Sequence, residues 1–182
     1  MLGTFPPKRE RWAMDFYYPN RINDMWRIMA LVFLGDRDAL WLPASKRFDL
    51  DAIKRLLDDK GIALWDTAMA VRRLKDNASD KFLDIVETID LEAMLDAHPT
   101  IGAVVTAGEK ATAVVAALAG ASVQPTGGVN HCVLGSHRFR HYRMPSSSRA
   151  YPLALEKKAA AYAQMFASLG LEIDRKSLTL RP

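Results

Sequence analysis

Ile101-Gly102-Ala103-Val104-Val105-Thr106-Ala107-Gly108 runs straight into Glu109-Lys110-Ala111-Thr112-Ala113-Val114-Val115-Ala116-Ala117-Leu118. The first six residues form a short apolar, valine-containing run, which reads as a buried strand. Ala107-Gly108 turns the chain, and the alanine-rich stretch behind it reads as a helix. Strand, glycine turn and helix make the βα unit of a parallel sheet, whose ligands sit at the carboxyl ends of the strands. The fold class is therefore α/β.

The flanking segments fit that class. Toward the N-terminus, Asp90 is placed to cap a short helix that buries Leu91, Met94 and Leu95. Asp49 is placed to cap another, with Leu50, Ile53, Leu56 and Leu57 on one face and Gly61 beyond its end. Residues 65–75 read as a further helical stretch, and residues 23–34 as a helix ending at Gly35-Asp36. Met1 to Phe5, stopped by Pro6-Pro7, reads as the end of a buried strand. Toward the C-terminus, residues 131–134 and 137–144 read as two strands or a hairpin. A last helix is expected to start near Pro152, with Leu155, Ala159, Tyr162, Phe166 and Leu169 as its core stripe and Gly170 at its end. Together these elements describe a small three-layer α/β domain over residues 1–182.

Composition narrows the function classes. A chain of 182 residues with 49% apolar and 25% charged residues is globular and builds its own core. One cysteine, Cys132, excludes an internal disulfide framework, a four-cysteine zinc site and a cysteine-ligated iron–sulfur cluster. No apolar run reaches the roughly 18 residues that a membrane span needs. The first residues lack the apolar core of a signal peptide. A cytoplasmic protein is expected. The net charge of +4 is a weak pointer to nucleic acid, but its distribution says more. His137, Arg138, Arg140, His141, Arg143 and Arg149 share a short window without an acidic residue. That window reads equally as a nucleic-acid contact and as a solvated strand face.

Two segments carry candidate chemistry. Met14 to Trp26 packs aromatic rings among asparagines and aspartates, which are costly to bury without partners. Rings beside amide donors and acceptors suit a pocket for a flat heterocycle, although Trp26 itself reads as core. Arg143-Met144-Pro145-Ser146-Ser147-Ser148-Arg149 offers hydroxyls, backbone N–H groups and a guanidinium near a helix start, a set that suits phosphate oxygens. The same serines also read as an N-capping turn. No G-x-S-x-G elbow surrounds them, which argues against a catalytic serine.

In this order the motifs resemble the uracil-DNA glycosylase superfamily, closest to its mismatch-specific and hypoxanthine-type branches. Leu2-Gly3-Thr4-Phe5-Pro6, Tyr17-Tyr18 and Asn23-Asp24-Met25-Trp26 resemble the first motif, G-S-x-P, Y-Y, N-x-F-W. Met144-Pro145-Ser146-Ser147-Ser148-Arg149 resembles the second, a Pro-Ser loop that grips the DNA backbone and carries a residue wedged into the stack. The resemblance implies an α/β/α domain around a mainly parallel sheet of four to five strands. It also implies a monofunctional DNA N-glycosylase of base-excision repair, acting as a monomer on DNA with a damaged base of the uracil or hypoxanthine class. No cofactor, metal or membrane is implied. It assigns catalysis to Asn23, with Asp15 and Asp24 as lesser candidates. Gly3, Thr4, Phe5, Pro6, Tyr17 and Tyr18 go to the base pocket. Arg143, Pro145, Ser146, Ser147, Ser148 and Arg149 go to DNA. No lysine lies in these motifs, so no lyase activity through a Schiff base is expected. Two departures stand out. Phe5 occupies the place where many members carry a water-orienting Asp or Asn, and Met144 the place of a histidine in the uracil-specific branch. A non-catalytic nucleic-acid-binding relative and an enzyme on free nucleosides are the competing readings.

Overall fold

The computed structural model describes residues 1–74 and 82–174. These form two compact units. The first comprises residues 1–6 and 64–144 without the undescribed stretch, and the second comprises residues 7–63 and 145–174.

The first unit is built on a five-stranded sheet. In chain order its strands are β1 (Leu2–Gly3), β4 (Trp65–Asp66), β7 (Ala103–Ala107), β8 (Val129–Leu134) and β9 (His137–Met144), arranged β4-β1-β7-β9-β8. β1 runs parallel to β4 and β7, and β7 runs parallel to β9 from Ala103↔Arg140 to Ala107↔Met144. Only β8 is antiparallel, folded back on β9 as a hairpin. The sheet is thus mainly parallel. After β7, Gly108 takes φ 96° and ψ 170°, a conformation open essentially to glycine alone, and starts α4 (Glu109–Leu118). The expected strand–turn–helix unit forms over the residues that predict it. α3 (Leu91–Ala97) begins at Asp90, whose Oδ1 accepts from Ala93 N–H at 2.9 Å. Leu2, Ile89, Leu91, Leu95, Val104, Val115, Cys132 and Phe139 make the core of this unit.

Residues 65–74 are not helical. They form β4 and then β5 (Ala68–Arg73), which pairs antiparallel with β6 (Leu83–Thr88). Ala, Met and Arg recur in this stretch, and all are good helix formers. Strand pairing overrides that local preference: Trp65 sits beside Leu2, and Arg73 beside Leu83. Lys75, the last residue of the expected helix, lies outside the described residues.

The second unit is mostly helical. α1 (Met25–Leu34), α2 (Leu50–Lys60) and α5 (Leu155–Ser168) accompany a two-stranded ribbon, β2 (Trp41–Leu42) and β3 (Arg47–Phe48). Asp49 Oδ1 caps α2 through Ala52 N–H at 2.9 Å, and Gly61 ends it at φ 62°. α1 and α5 bury Trp26, Ile28, Met29, Tyr162 and Phe166, and the Phe33 and Phe166 rings meet at 4.9 Å. α5 starts at Leu155, three residues later than Pro152 suggests, because the backbone bond of Leu153 N–H to Tyr151 O holds a tight bend ahead of it. Among the described residues no helix is long and apolar enough to cross a membrane.

Candidate nucleic-acid and base site

The second unit brings together two candidate segments that lie far apart in sequence. Asn23 forms an antiparallel bridge with Ser148, and Asp24 N–H donates to Ser147 O at 2.9 Å. Asp24 is buried at 6% exposure, and both its oxygens are engaged. Arg149 Nε donates to Oδ1 at 2.9 Å, and Lys158 Nζ donates to Oδ2 at 3.0 Å. Lys158 Nζ also donates to Ser148 O at 2.8 Å. Asp24 is therefore not free to cap its own helix. Asn23 does so instead: its Oδ1 accepts from Met25 N–H at 2.9 Å. That bond fixes the Asn23 side chain and occupies one of the two lone pairs on its carbonyl oxygen.

The serine loop is stiffened by its own hydroxyls. Ser146 Oγ accepts from Ser148 N–H, and Ser148 Oγ accepts from Ala150 N–H, each at 3.2 Å. Both hydroxyls keep a proton to donate. Ser147 is buried at 3% exposure. Pro145 is held from α5, where Tyr162 Oη donates to its carbonyl at 3.1 Å, and burial pushes the Tyr162 phenol pKa well up. The Arg149 side chain is half-exposed.

The aromatic segment packs as a cluster. Phe16 meets Tyr17 edge-on at 5.2 Å and lies 6.1 Å from Trp26, while Tyr18 meets Trp26 edge-on at 6.4 Å. Trp26 is a core residue, as its sequence context suggests, with Nε1 donating to Tyr17 O at 3.1 Å. Tyr18 takes φ 49°, a left-handed conformation that a bulky side chain rarely adopts and that tends to mark functional loops. Asp15 lies in solvent, paired with Arg9 at 3.2 Å.

In the first unit, Gly3 and Thr4 are buried at the end of β1, with Gly3 O and Thr4 O accepting from Thr67 and Ala68 N–H. Phe5 and Pro6 are half-buried. Arg73 reaches back to both: Nη2 donates to Pro6 O at 2.6 Å, and the guanidinium lies 5.7 Å from the Phe5 ring centroid. The basic window does not form a continuous positive face. His141 is fully buried, Arg143 is tied to Gln124 O and Glu109, and His137 is paired with Asp96 at 2.6 Å. His141 Nε2 lies 3.0 Å from Thr106 Oγ1, which in turn lies 2.8 Å from Thr112 Oγ1. Burial lowers the His141 pKa to about 4, so the ring is neutral at pH 7. Its Nδ1 has no hydrogen-bond partner, which favours the tautomer donating from Nε2, because a bare lone pair costs less to bury than an orphaned N–H.

Comparison with known proteins settles the architecture. A solution NMR structure of a proposed uracil DNA glycosylase from Methanosarcina acetivorans aligns with 93% of this chain and 88% of its own, at a TM-score of 0.60 and 20% identity. The chain has the uracil-DNA-glycosylase-like α/β fold. No protein-family model matches the sequence, and no curated protein does.

Two residues of this glycosylase-like fold escaped the sequence reading. Lys158 stands within the α5 core stripe, three residues after Leu155 and four before Tyr162, and that position was its only signal. Arg73 gave none, because its segment read as a helix. Arg27 is a third basic residue beside the loop. Burial first, then the charges of Arg149 and Arg37, lowers its pKa, and Asp38 and Asp24 act in the opposite direction.

Proposed function

We propose that this protein is a DNA glycosylase that hydrolyses the N-glycosidic bond of a deaminated or damaged base, of the uracil or hypoxanthine class, flipped out of DNA. One observation carries the reading. The Asn23-Asp24 segment and the Ser146–Arg149 loop, which the family resemblance assigns to one active site, are joined by a β-bridge and an ion pair inside one compact unit. The fold likeness supports it.

In this reading the C1′–N bond breaks ahead of water attack, and the base leaves with the electron pair. Water then bonds to C1′, and the proton it loses ends on the departed base anion. A dissociative transition state asks for a positioned water rather than a strong base. The Asn23 carbonyl suits that task, because the Met25 N–H orients it and a second lone pair stays available. Asp24 is a poor water base with both oxygens engaged, and it serves the serine loop instead. Asp15 sits in solvent with Arg9, which makes it a lesser candidate than Asn23. Tyr17 and Tyr18 are assigned to stack on the base. Ser146, Ser148 and Arg149 are assigned to phosphates, while Ser147 is buried within the loop. Arg143, tied to Glu109, is at most a minor DNA contact.

A panel of duplexes each carrying one lesion (uracil, hypoxanthine, xanthine or an oxidised pyrimidine), scored for alkali-labile sites, tests the activity. Strand cleavage after alkali at one lesion is the expected result. Binding without cleavage of any lesion would establish the non-catalytic reading, which Phe5 and Met144 would then explain. Salt-independent turnover of free nucleosides would move the substrate away from DNA.

A further inference from the structure

The structure brings Lys158 against the motif residues, and its side chain is 1% exposed. It cannot touch DNA. Its ammonium instead holds Asp24 Oδ2 and Ser148 O, while Asp24 Oδ1 holds only Nε of Arg149. Two cations thus share one carboxylate, and the group carries one positive charge in excess. The excess falls on Arg149, the exposed member, whose Nη1 and Nη2 the pair leaves free. Nearby, Arg27 and Arg37 share the single carboxylate of Asp38. A charge cluster left open on its solvent side is completed by an external anion, and a backbone phosphodiester supplies one negative charge.

Resting on the DNA-glycosylase reading, we propose that Lys158 is a positioning residue that sets the charge Arg149 presents to DNA. By claiming half of Asp24, Lys158 keeps Arg149 from being neutralised internally and reserves its guanidinium for one phosphodiester. The same ammonium fixes the carbonyl of Ser148, next to Arg149 in the loop.

The charge count orders the variants. Lys158→Met leaves Asp24 and Arg149 as a neutral pair. Asp24→Asn leaves two cations, and the double variant restores the wild-type excess of one. Binding of a lesion-free duplex, followed by fluorescence anisotropy across a KCl series, should therefore show the shallowest salt slope for Lys158→Met. The slope should be shallower by about one than wild type, with affinity roughly three- to tenfold weaker near 0.1 M salt. Asp24→Asn should bind more tightly with a steeper slope. The double variant should return to the wild-type slope. A purely structural role predicts instead that all three weaken together. Thermal unfolding identifies folded variants, and if Lys158→Met does not fold, the signs for Asp24→Asn and the double variant decide. Weaker binding by folded Asp24→Asn, or an unchanged slope in Lys158→Met, overturns the proposal. Failure of wild-type protein to bind any duplex at low salt would instead sink the glycosylase reading beneath it.

Discussion

Each of the two units buries a polar cluster, and the clusters differ in how they are completed. In the first, the hydroxyls of Thr106 and Thr112 and the ring of His141 are all neutral, all fully buried, and bonded among themselves and to Tyr142 O and Gly108 O. Of this cluster's side-chain polar atoms, His141 Nδ1 alone has no partner. In the second, Asp24, Lys158 and Arg149 are charged, do not balance, and reach solvent through Arg149. A closed neutral network holds β7, β9 and α4 in register and needs no visitor. An open charged one is built around something that arrives from outside.

Four changes break or sharpen that contrast. The largest effect is expected from Asp24→Ala, which strands Lys158 as an unpaired charge in an apolar helix stripe. Chemical denaturation should show a loss of about 3–5 kcal/mol, the scale for breaking one side of a buried ion pair. Asn23→Ala, at the edge of the same cluster, should bind lesion DNA nearly as well as wild type. Its single-turnover excision should fall by roughly 10²-fold, the scale for removing one preorganised polar group. Excision at the wild-type rate would move catalysis elsewhere.

The neutral cluster should respond to pH. Because burial depresses the His141 pKa to about 4, the unfolded chain binds the extra proton first as pH falls. Its contribution is complete above about pH 6.5, declines as pH falls toward 4, and levels off below that. His141→Leu should flatten the stability profile across this window. An equal slope in both proteins would place the titration on another group. The smallest effect is expected from Tyr162→Phe, which removes the partner of the Pro145 carbonyl. It should cost about 1–2 kcal/mol in unfolding experiments. If it also lowered duplex affinity, the Tyr162 bond would be shown to shape the serine loop as well as stabilise it.

Local signals in the sequence carried much of the fold. Asp49 and Asp90 cap the helices their positions suggest, and α4 spans the residues read from Glu109 to Leu118. These features depend on neighbours within four residues, so they are legible in one dimension. Trp65 to Arg73 failed for the opposite reason, since their strands exist only because Leu2 and Leu83 lie alongside. At the candidate site, the resemblance pointed to Asn23, the serine loop and Arg149, and these do meet. Lys158 was hidden by its type: a lysine on a helix ordinarily reads as solvated, and only the phase of the core stripe placed it inward. The basic window around Arg143 read equally two ways because a run of cations along a strand says nothing about where Glu109 and Asp96 will lie.

The Asp24–Arg149 pair closes a separation of 125 residues. Bringing two such distant points together costs about 4 kcal/mol of chain entropy in a simple loop model. During synthesis the N-terminal segment appears first, and Asp24 waits for partners that emerge much later. Until Lys158 leaves the ribosome, the carboxylate has no buried mate and the serine loop has no anchor on α5. The order of the chain thus acts as a clock: the Ser146–Arg149 loop gains its anchors, Lys158 and Tyr162, only once α5 has been made.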